Sequence, residues 1–380
     1  MEELTKIGIV GTGFIASGLY YAIEHSNKFV TSKILTRRKI ESIKDLPQEL
    51  LTNSFDDFLE NVDIVFESSG DVHHATDIIM AATKVNKKVV TMNSEFHVTA
   101  GTYFIKNGHY VTEAEGDQPG CLARLKADIE NMGFDPVAYV NLKGFLNPNP
   151  ELEEMKYWSK KQQLALNQVV SFTDGTKLQI EQAFVANGLG ATIAQDGLIG
   201  SRVDTIYDLD YMVKASEEMK QPISEYILCE GSPPGVLIVA KNKVADMRPG
   251  YLPFTRIQTK EKLAYVLLRP YHLCYLECIN TLEKIVAGEP MLLNNSINPR
   301  ITVGAVAKKA IKKDGIIKLG AGGFDVRGKA IKIEENKDKV PICLLRHTRL
   351  KRDIEPGHIL TFDDVELEAS NALNCYLDSI

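Results

Sequence analysis

The chain of 380 residues is long enough for two or three domains and too long to be a single small binding module. Hydrophobic residues make up 44% and charged residues 25%, a globular composition that excludes global disorder. With 44 Lys+Arg against 50 Asp+Glu the net charge is -6, which gives no basic field for a polyanion and excludes nucleic-acid binding as the main task.

The first apolar run, Ile7-Gly8-Ile9-Val10, leads into Gly11-Thr12-Gly13-Phe14-Ile15-Ala16 and then a helical pattern ending near His25. Further strands are expected at Phe29 to Leu35, Val62 to Glu67 and Lys88 to Met92, with a helix from about His74 to Thr83. Strands alternating with helices at this spacing predict an α/β fold, a doubly wound parallel Rossmann sheet. Another helix and strand then reach Ala114-Glu115-Gly116-Asp117.

From about Gln118 to Met291 the pattern changes to longer mixed segments, with helices expected at Asp174 to Ala186 and Leu263 to Val286. Asn294 to Pro299 reads as a loop and Gly320 to Gly323 as a turn, and a small β-rich module is expected to begin near Leu319. The expected domains are therefore a dinucleotide-binding domain over 1–125, an α+β domain over 126–318, and a C-terminal module over 319–380. No apolar stretch approaches ~18 residues and the first residues lack a signal-peptide pattern, so no membrane partner and a cytoplasmic address are expected. The six cysteines form no C-x-x-C pair and read as reduced thiols, mostly core filler.

The G-x-G-x-x-A pattern sits where a strand meets a helix. Its first glycine, Gly11, permits a tight turn, Gly13 lets backbone approach a pyrophosphate, and Ala16 allows helix to pack on strand. Phe14 and Ile15 belong to the same cofactor turn. An enzyme selecting NAD usually carries Asp or Glu at the end of the second strand, but here Thr36 is followed by Arg37 and Arg38, which favours NADP. Solvated surface arginines are the alternative. Ser69, Gly70 and Asn93 fall at strand ends on the ligand-binding edge, where short polar groups either contact cofactor or substrate or cap helices.

Glu115 and Asp117 place two carboxylates on a turn, with a purely structural role as the competing reading. Lys177 and Glu181 share one helix face at i,i+4, so Lys177 either assists a carbonyl oxygen during hydride transfer or forms an ordinary exposed pair with Glu181. In Arg269-Pro270-Tyr271-His272, either Arg269 or His272 holds an anionic substrate, or His272 is a hydrogen-bonded histidine in the core. Cys274 and Cys278 lack partners for a metal site, and no metal-binding residue is assigned.

Taken together, the glycine turn, Glu115-Gly116-Asp117-Gln118-Pro119, Asp174-Gly175-Thr176-Lys177, Arg269-Pro270-Tyr271-His272 and Lys351-Arg352-Asp353-Ile354-Glu355-Pro356-Gly357 resemble the homoserine-dehydrogenase-like oxidoreductases that end in a SAF domain. That group includes the type II, reductoisomerase-like enzymes that convert 1-deoxy-D-xylulose 5-phosphate with NADPH. The resemblance implies a catalytic and dimerisation role for the domain over 126–318, a SAF-like C-terminal module, Lys177 nearest the reacting carbonyl, and Glu115 and Asp117 in the substrate pocket. It also implies NADPH as cofactor, a phosphorylated sugar or polyol precursor as substrate, a homo-oligomer such as a homodimer, and a divalent metal as an open requirement. Homoserine dehydrogenase and a non-catalytic dinucleotide- or carbohydrate-binding protein are the alternatives.

Overall fold

The structure, a computed structural model, describes residues 4–380. The chain divides into two compact units, one formed by residues 1–120, 273–297 and 370–379, the other by 121–272, 298–369 and 380. Both are discontinuous in sequence.

In the first unit, strands β1 (Thr5–Val10), β2 (Phe29–Leu35), β3 (Leu51–Thr52), β4 (Ile64–Glu67), β5 (Lys88–Thr91) and β6 (Val111–Glu113) form one sheet in the order 3-2-1-4-5-6. Every pair is parallel, the order expected of a dinucleotide-binding sheet. Successive strand residues face opposite sides, and the two cores follow that alternation. Ile7, Ile9, Ile64 and Phe66 enter one core, Val10, Val65 and Val89 the other.

Helix α1 (Phe14–Glu24) covers the first face with Leu19 and Ile23, beside the helix Tyr275–Val286, which contributes Cys278, Leu282 and Ile285. Helices α2 (Phe55–Glu60) and α3 (Val72–Lys84) cover the second with Phe58, Ile78 and Ile79, together with Cys375 of the helix Asn371–Leu377. Each such aliphatic or aromatic side chain removed from water contributes about 1.5–3 kcal/mol, so the two late helices are part of this core rather than appendages. Leu282→Ala would cost about 2–5 kcal/mol.

The second unit holds a mixed sheet of β7 (Asp135–Lys143), β8 (Ser201–Arg202), β9 (Ile223–Leu228), β10 (Val236–Lys241) and β11 (Tyr265–Arg269) in the order 11-10-7-9-8. Val140, Leu237, Val239 and Val266 pack with Met212 and Val213 of the helix Asp210–Met219. Beyond it come β12 (Ile301–Ala307), β13 (Ile316–Leu319), β14 (Val326–Lys332), β15 (Arg346–Leu350) and β16 (Val365–Glu366), with β12 paired to β14 and β13-β15-β16 in a three-stranded sheet.

The helix Thr176–Gly188 is buried on both sides. Gln182 donates to the carbonyls of Tyr139 and Glu225 in the five-stranded sheet, while Thr176 Oγ1 and Gln179 Oε1 accept the N–H groups of Gly328 and Ala330 on β14. Residues 178–187 are all buried.

One expected helix is corrected. Residues 263–286 are not a single helix: Tyr265–Arg269 pairs antiparallel with β10, and helix begins only at Tyr275. Pro270 provides the reason, since its ring disfavours helix at the residue before it and it offers no N–H. The turn ends at Cys274, whose φ of 51° is left-handed. Strand β3, two residues long, is also absent from the sequence expectation. No helix among the described residues is long and apolar enough to cross a membrane.

Candidate functional site

At the carboxyl edge of the first sheet, β1 and β4 are neighbours although chain connections leave them in opposite directions, the topological position where open α/β sheets take ligands. Gly11, at φ 111°, turns the chain there, and its N–H donates to Leu35 O at 2.9 Å. Ser68 donates both N–H and Oγ–H to Val10 O at 3.0 Å, tying β4's end to β1's. Gly13 is the N-cap of α1 in extended backbone, and no side chain caps the helix. A Cβ at Gly13 would meet nothing within 4 Å. The N-terminal N–H groups of α1 and its positive dipole end are thus presented beside open space, which fits a dinucleotide pyrophosphate. Ala16 is 1% exposed and packs into the core, as the third small position requires. Ile15 packs partly into the same core, and Phe14 is exposed, edge-on to Tyr275 at 5.4 Å.

Thr36 is buried at the end of β2, where its hydroxyl accepts the Arg38 N–H at 3.1 Å. Asn53 donates to the carbonyls of both Thr36 and Arg38, fixing the loop. Arg37 is ion-paired through Nη1 with Asp71 Oδ2 at 2.8 Å. Asp71 also caps α3 by accepting the His74 N–H. The structure therefore gives one of the two predicted arginines an acidic neighbour across the edge, while Arg38 stays exposed.

Ser69 and Asn93 are drawn together by a residue the sequence reading did not single out. Glu67, fully buried at the end of β4, accepts the Ser69 N–H at 2.7 Å and its hydroxyl, the Thr91 hydroxyl at 2.8 Å and the Asn93 amide at 3.3 Å. Burial pushes its carboxyl pKa up, while those four donors pull the other way. Asn93 Oδ1 caps the short helix Ser94–Phe96, so this side chain is spent on positioning the edge. Gly70, at φ 66°, ends the motif. The signal was an acid closing the otherwise apolar run Ile64-Val65-Phe66-Glu67.

After β6, Glu115 is ion-paired with Lys284 at 2.7 Å, and its N–H donates to Thr281 Oγ1 at 2.8 Å. Gly116 adopts φ 116° and accepts the Cys274 N–H at 3.1 Å; a Cβ there would stand 2.0 Å from Cys274 O. Asp117 accepts the Gln118 N–H at 3.0 Å. Burial, then Asp117 and Glu277, push the Cys274 thiol up to about 11. Glu115 and Asp117 thus stand on one tightly held turn, with Lys284 as an unforeseen partner of Glu115.

In the second unit, Lys177 Nζ lies 4.0 Å from Glu181 Oε1, and Asn141 on β7 donates to Glu181 Oε2 at 2.9 Å. Side-chain exposure is 11% for Lys177 and 2% for Glu181, so this is no solvated surface pair. The helix start is anchored by Asp174, buried and ion-paired with Lys308, whose ammonium also donates to Gly323 O at 2.9 Å. Arg269 and His272 stand at the end of β11, with the Arg269 guanidinium 5.4 Å from the Tyr271 ring. Glu225 on β9 accepts the N–H groups of Ile199 at 2.7 Å and Gly200 at 3.1 Å. Burial outweighs those bonds and raises its carboxyl to about 7.

Residues 116–278 match the family model described as the catalytic domain of oxidoreductase DRL. The stretch that matches an oxidoreductase catalytic domain therefore follows the Rossmann-type sheet in the sequence of this chain. The matched stretch includes Asp117, Lys177, Glu181, Arg269 and His272 and begins one residue after Glu115. Among solved structures, S. aureus homoserine dehydrogenase is 17% identical over 48% of this chain, with a TM-score of 0.31. This chain spans half of that enzyme's length, 50%. A homoserine dehydrogenase from Thiobacillus denitrificans is 11% identical, with 89% of this chain and 94% of that one covered and a TM-score of 0.46. UDP-N-acetylglucosamine 3-dehydrogenase GnnA from Acidithiobacillus ferrooxidans is 10% identical, with 77% and 92% covered and a TM-score of 0.45. At these values the likenesses carry no inference about substrate. No curated protein matched the chain. Among the described residues, no group of three or more His, Cys, Asp or Glu is placed to hold a metal ion.

Proposed function

We propose that this chain is an NADPH-dependent oxidoreductase that reduces a ketone or aldehyde on a phosphorylated sugar or polyol precursor, either as plain reduction or coupled to isomerisation. The observation that carries the reading is an oxidoreductase catalytic segment, 116–278, joined to a sheet whose switch point offers Gly11, Gly13 and the uncapped start of α1. A bound nicotinamide supplies hydride from its C4. The Lys177 ammonium would hold the substrate's carbonyl oxygen and give it the proton that makes it a hydroxyl, and Glu181, oriented by Asn141, would hold that ammonium in place. Arg37 and Arg38 favour NADPH because a 2′-phosphate gains from guanidinium donors and meets no carboxylate at Thr36, while Asp71 shares Arg37. Arg269 and His272 serve the substrate's anionic group, and Glu115 and Asp117 are assigned to substrate binding in the same reading. The proposal includes a homo-oligomer, checked by analytical ultracentrifugation.

NADPH oxidation measured across matched ketose phosphates, free ketoses and aspartate semialdehyde, with product analysis, tests the substrate class. Phosphorylated ketones are expected to exceed their free analogues in both turnover and apparent affinity, since a remote dianion lends binding energy to the transition state. Turnover confined to aspartate semialdehyde would overturn the reading, and equal activity on free and phosphorylated ketoses would remove the phosphate site from it.

A further inference from the structure

The second unit contains a cavity of about 330 Å³ whose lining includes Arg327, Lys329, Asp196, Gln179 and Gly197. Arg327 and Lys329 alternate along β14 and so share one face of the β12–β14 ribbon, opposite Val306 and Gly304. Among the described residues, neither cation has an ion-pair or hydrogen-bond partner. The one carboxylate in the lining is committed elsewhere: Asp196 accepts the Lys332 N–H at 3.3 Å and the Asn336 amide at 3.5 Å. Gln179 is committed too, donating to Gly197 O and accepting from Ala330 N–H, both at 2.8 Å, which makes it a fixed wall. Gly197 is what lets the lysine lie flat, because its missing Cβ would stand 3.1 Å from Lys329 Cε.

Two like charges held on one face of a strand repel each other in the absence of a counter-ion. An anion with several oxygens reverses the sign of that interaction, and a guanidinium fork beside an ammonium matches a phosphate. The volume falls at the lower end of the range for small-molecule sites, roughly 300–1,000 Å³. We propose that this cavity binds a phosphate-bearing small molecule through Arg327 and Lys329. Gln179 follows Lys177 by two positions, about 200° around the helix, so the cavity lies on the other side of that helix from Lys177. The inference goes beyond the redox reading and does not depend on it.

Thermal unfolding of the full chain with inorganic phosphate, at ionic strength held constant with chloride, tests the site. The wild type should show a saturable rise in Tm. Arg327→Gln with Lys329→Gln should weaken the apparent affinity at least tenfold, whereas the Arg37→Ala, Arg38→Ala double variant and Lys177→Ala should retain it. Asp196→Asn, by removing the competing negative charge, should tighten it several-fold. Should the Arg327, Lys329 double variant fail to fold, protection of Lys329 from acetylation by phosphate, read by mass spectrometry on the wild type, replaces it. Competition between a sugar monophosphate and inorganic phosphate identifies the source, with tighter binding of the ester expected. The proposal is overturned by absence of saturable stabilisation, by unchanged affinity in the double variant, or by Lys329 reacting equally at saturating phosphate.

Discussion

At the end of β1, room for a ligand is left by what is missing: Gly13 presents no side chain and α1 begins without a cap. Along the helix Thr176–Gly188 the opposite holds, because Glu181 and Gln182 carry polar groups into a packed interior, each matched by a partner far away in sequence, and Lys177 stands one helical turn from Glu181. The first arrangement asks little of the rest of the chain and uses backbone donors common to any helix start. The second depends on Asn141, Tyr139 and Glu225 being in register, and it supplies chemistry that backbone cannot. A dinucleotide-binding turn can therefore be carried by a short motif, whereas the acid–base group needs the whole unit to be folded around it.

On that contrast, the largest effect should come from Lys177, whose side chain is largely enclosed. Lys177→Ala is expected to lower turnover by roughly 10² to 10⁴, about 3–5 kcal/mol in the barrier, with cofactor affinity nearly unchanged. Retention of more than half the wild-type turnover on the true substrate would return Lys177 to a structural role. Steady-state kinetics with cofactor binding measured separately decides it.

The second unit should also show the cost of its buried acid. Glu225 has a folded-state pKa of about 7 against an ordinary 4.5. Below the lower value the carboxyl is protonated in both states and its contribution is complete. As pH rises, the unfolded chain releases the proton first, so stability falls across this window, by about 3 kcal/mol. Glu225→Gln should flatten that slope in denaturant titrations at pH 5 and 7.5, and an unchanged slope would remove Glu225 as its source.

On the cofactor side, Arg37→Ala with Arg38→Ala should weaken NADPH more than NADH by about 1–3 kcal/mol. Equal losses for the two would show that Asp71 has already consumed the preference. Gly13→Ala should be the mildest change. The added methyl enters open space, so Tm should stay close to wild type while dinucleotide affinity drops by up to about tenfold, ~1.4 kcal/mol. A fall in Tm with affinity intact would mean that Gly13 serves packing instead.

Legibility followed the same divide. The run from β1 through the glycine turn to α1, strand β2, and helix α3 are local patterns, and the sequence expectation places them within a few residues of the observed elements. Glu67 was overlooked because an acid ending an apolar strand looks like an ordinary strand terminus until Ser69, Thr91 and Asn93 converge on it. Lys284 was overlooked as Glu115's partner because 169 positions separate them. Lys177 and Glu181 were visible as a pair, yet their spacing alone favoured solvent; only two-sided burial of the helix shows otherwise. The stretch 263–286 misled because its apolar residues suit either a strand or a helix, and Pro270 marks the break.

The composition of the first unit from three separate stretches bears on how the chain is made. Its sheet strands are complete by residue 113, yet Leu282 and Ile285 on one face and Cys375 on the other belong to residues 273–297 and 370–379. During synthesis at about 5–20 residues per second, the emerging sheet waits on the order of ten seconds or more for those helices. Through that interval apolar surface at both faces is open to chaperones or to a neighbouring nascent chain. Ribosome-bound intermediates stalled between residues 120 and 270 are thus where aggregation of this protein should begin.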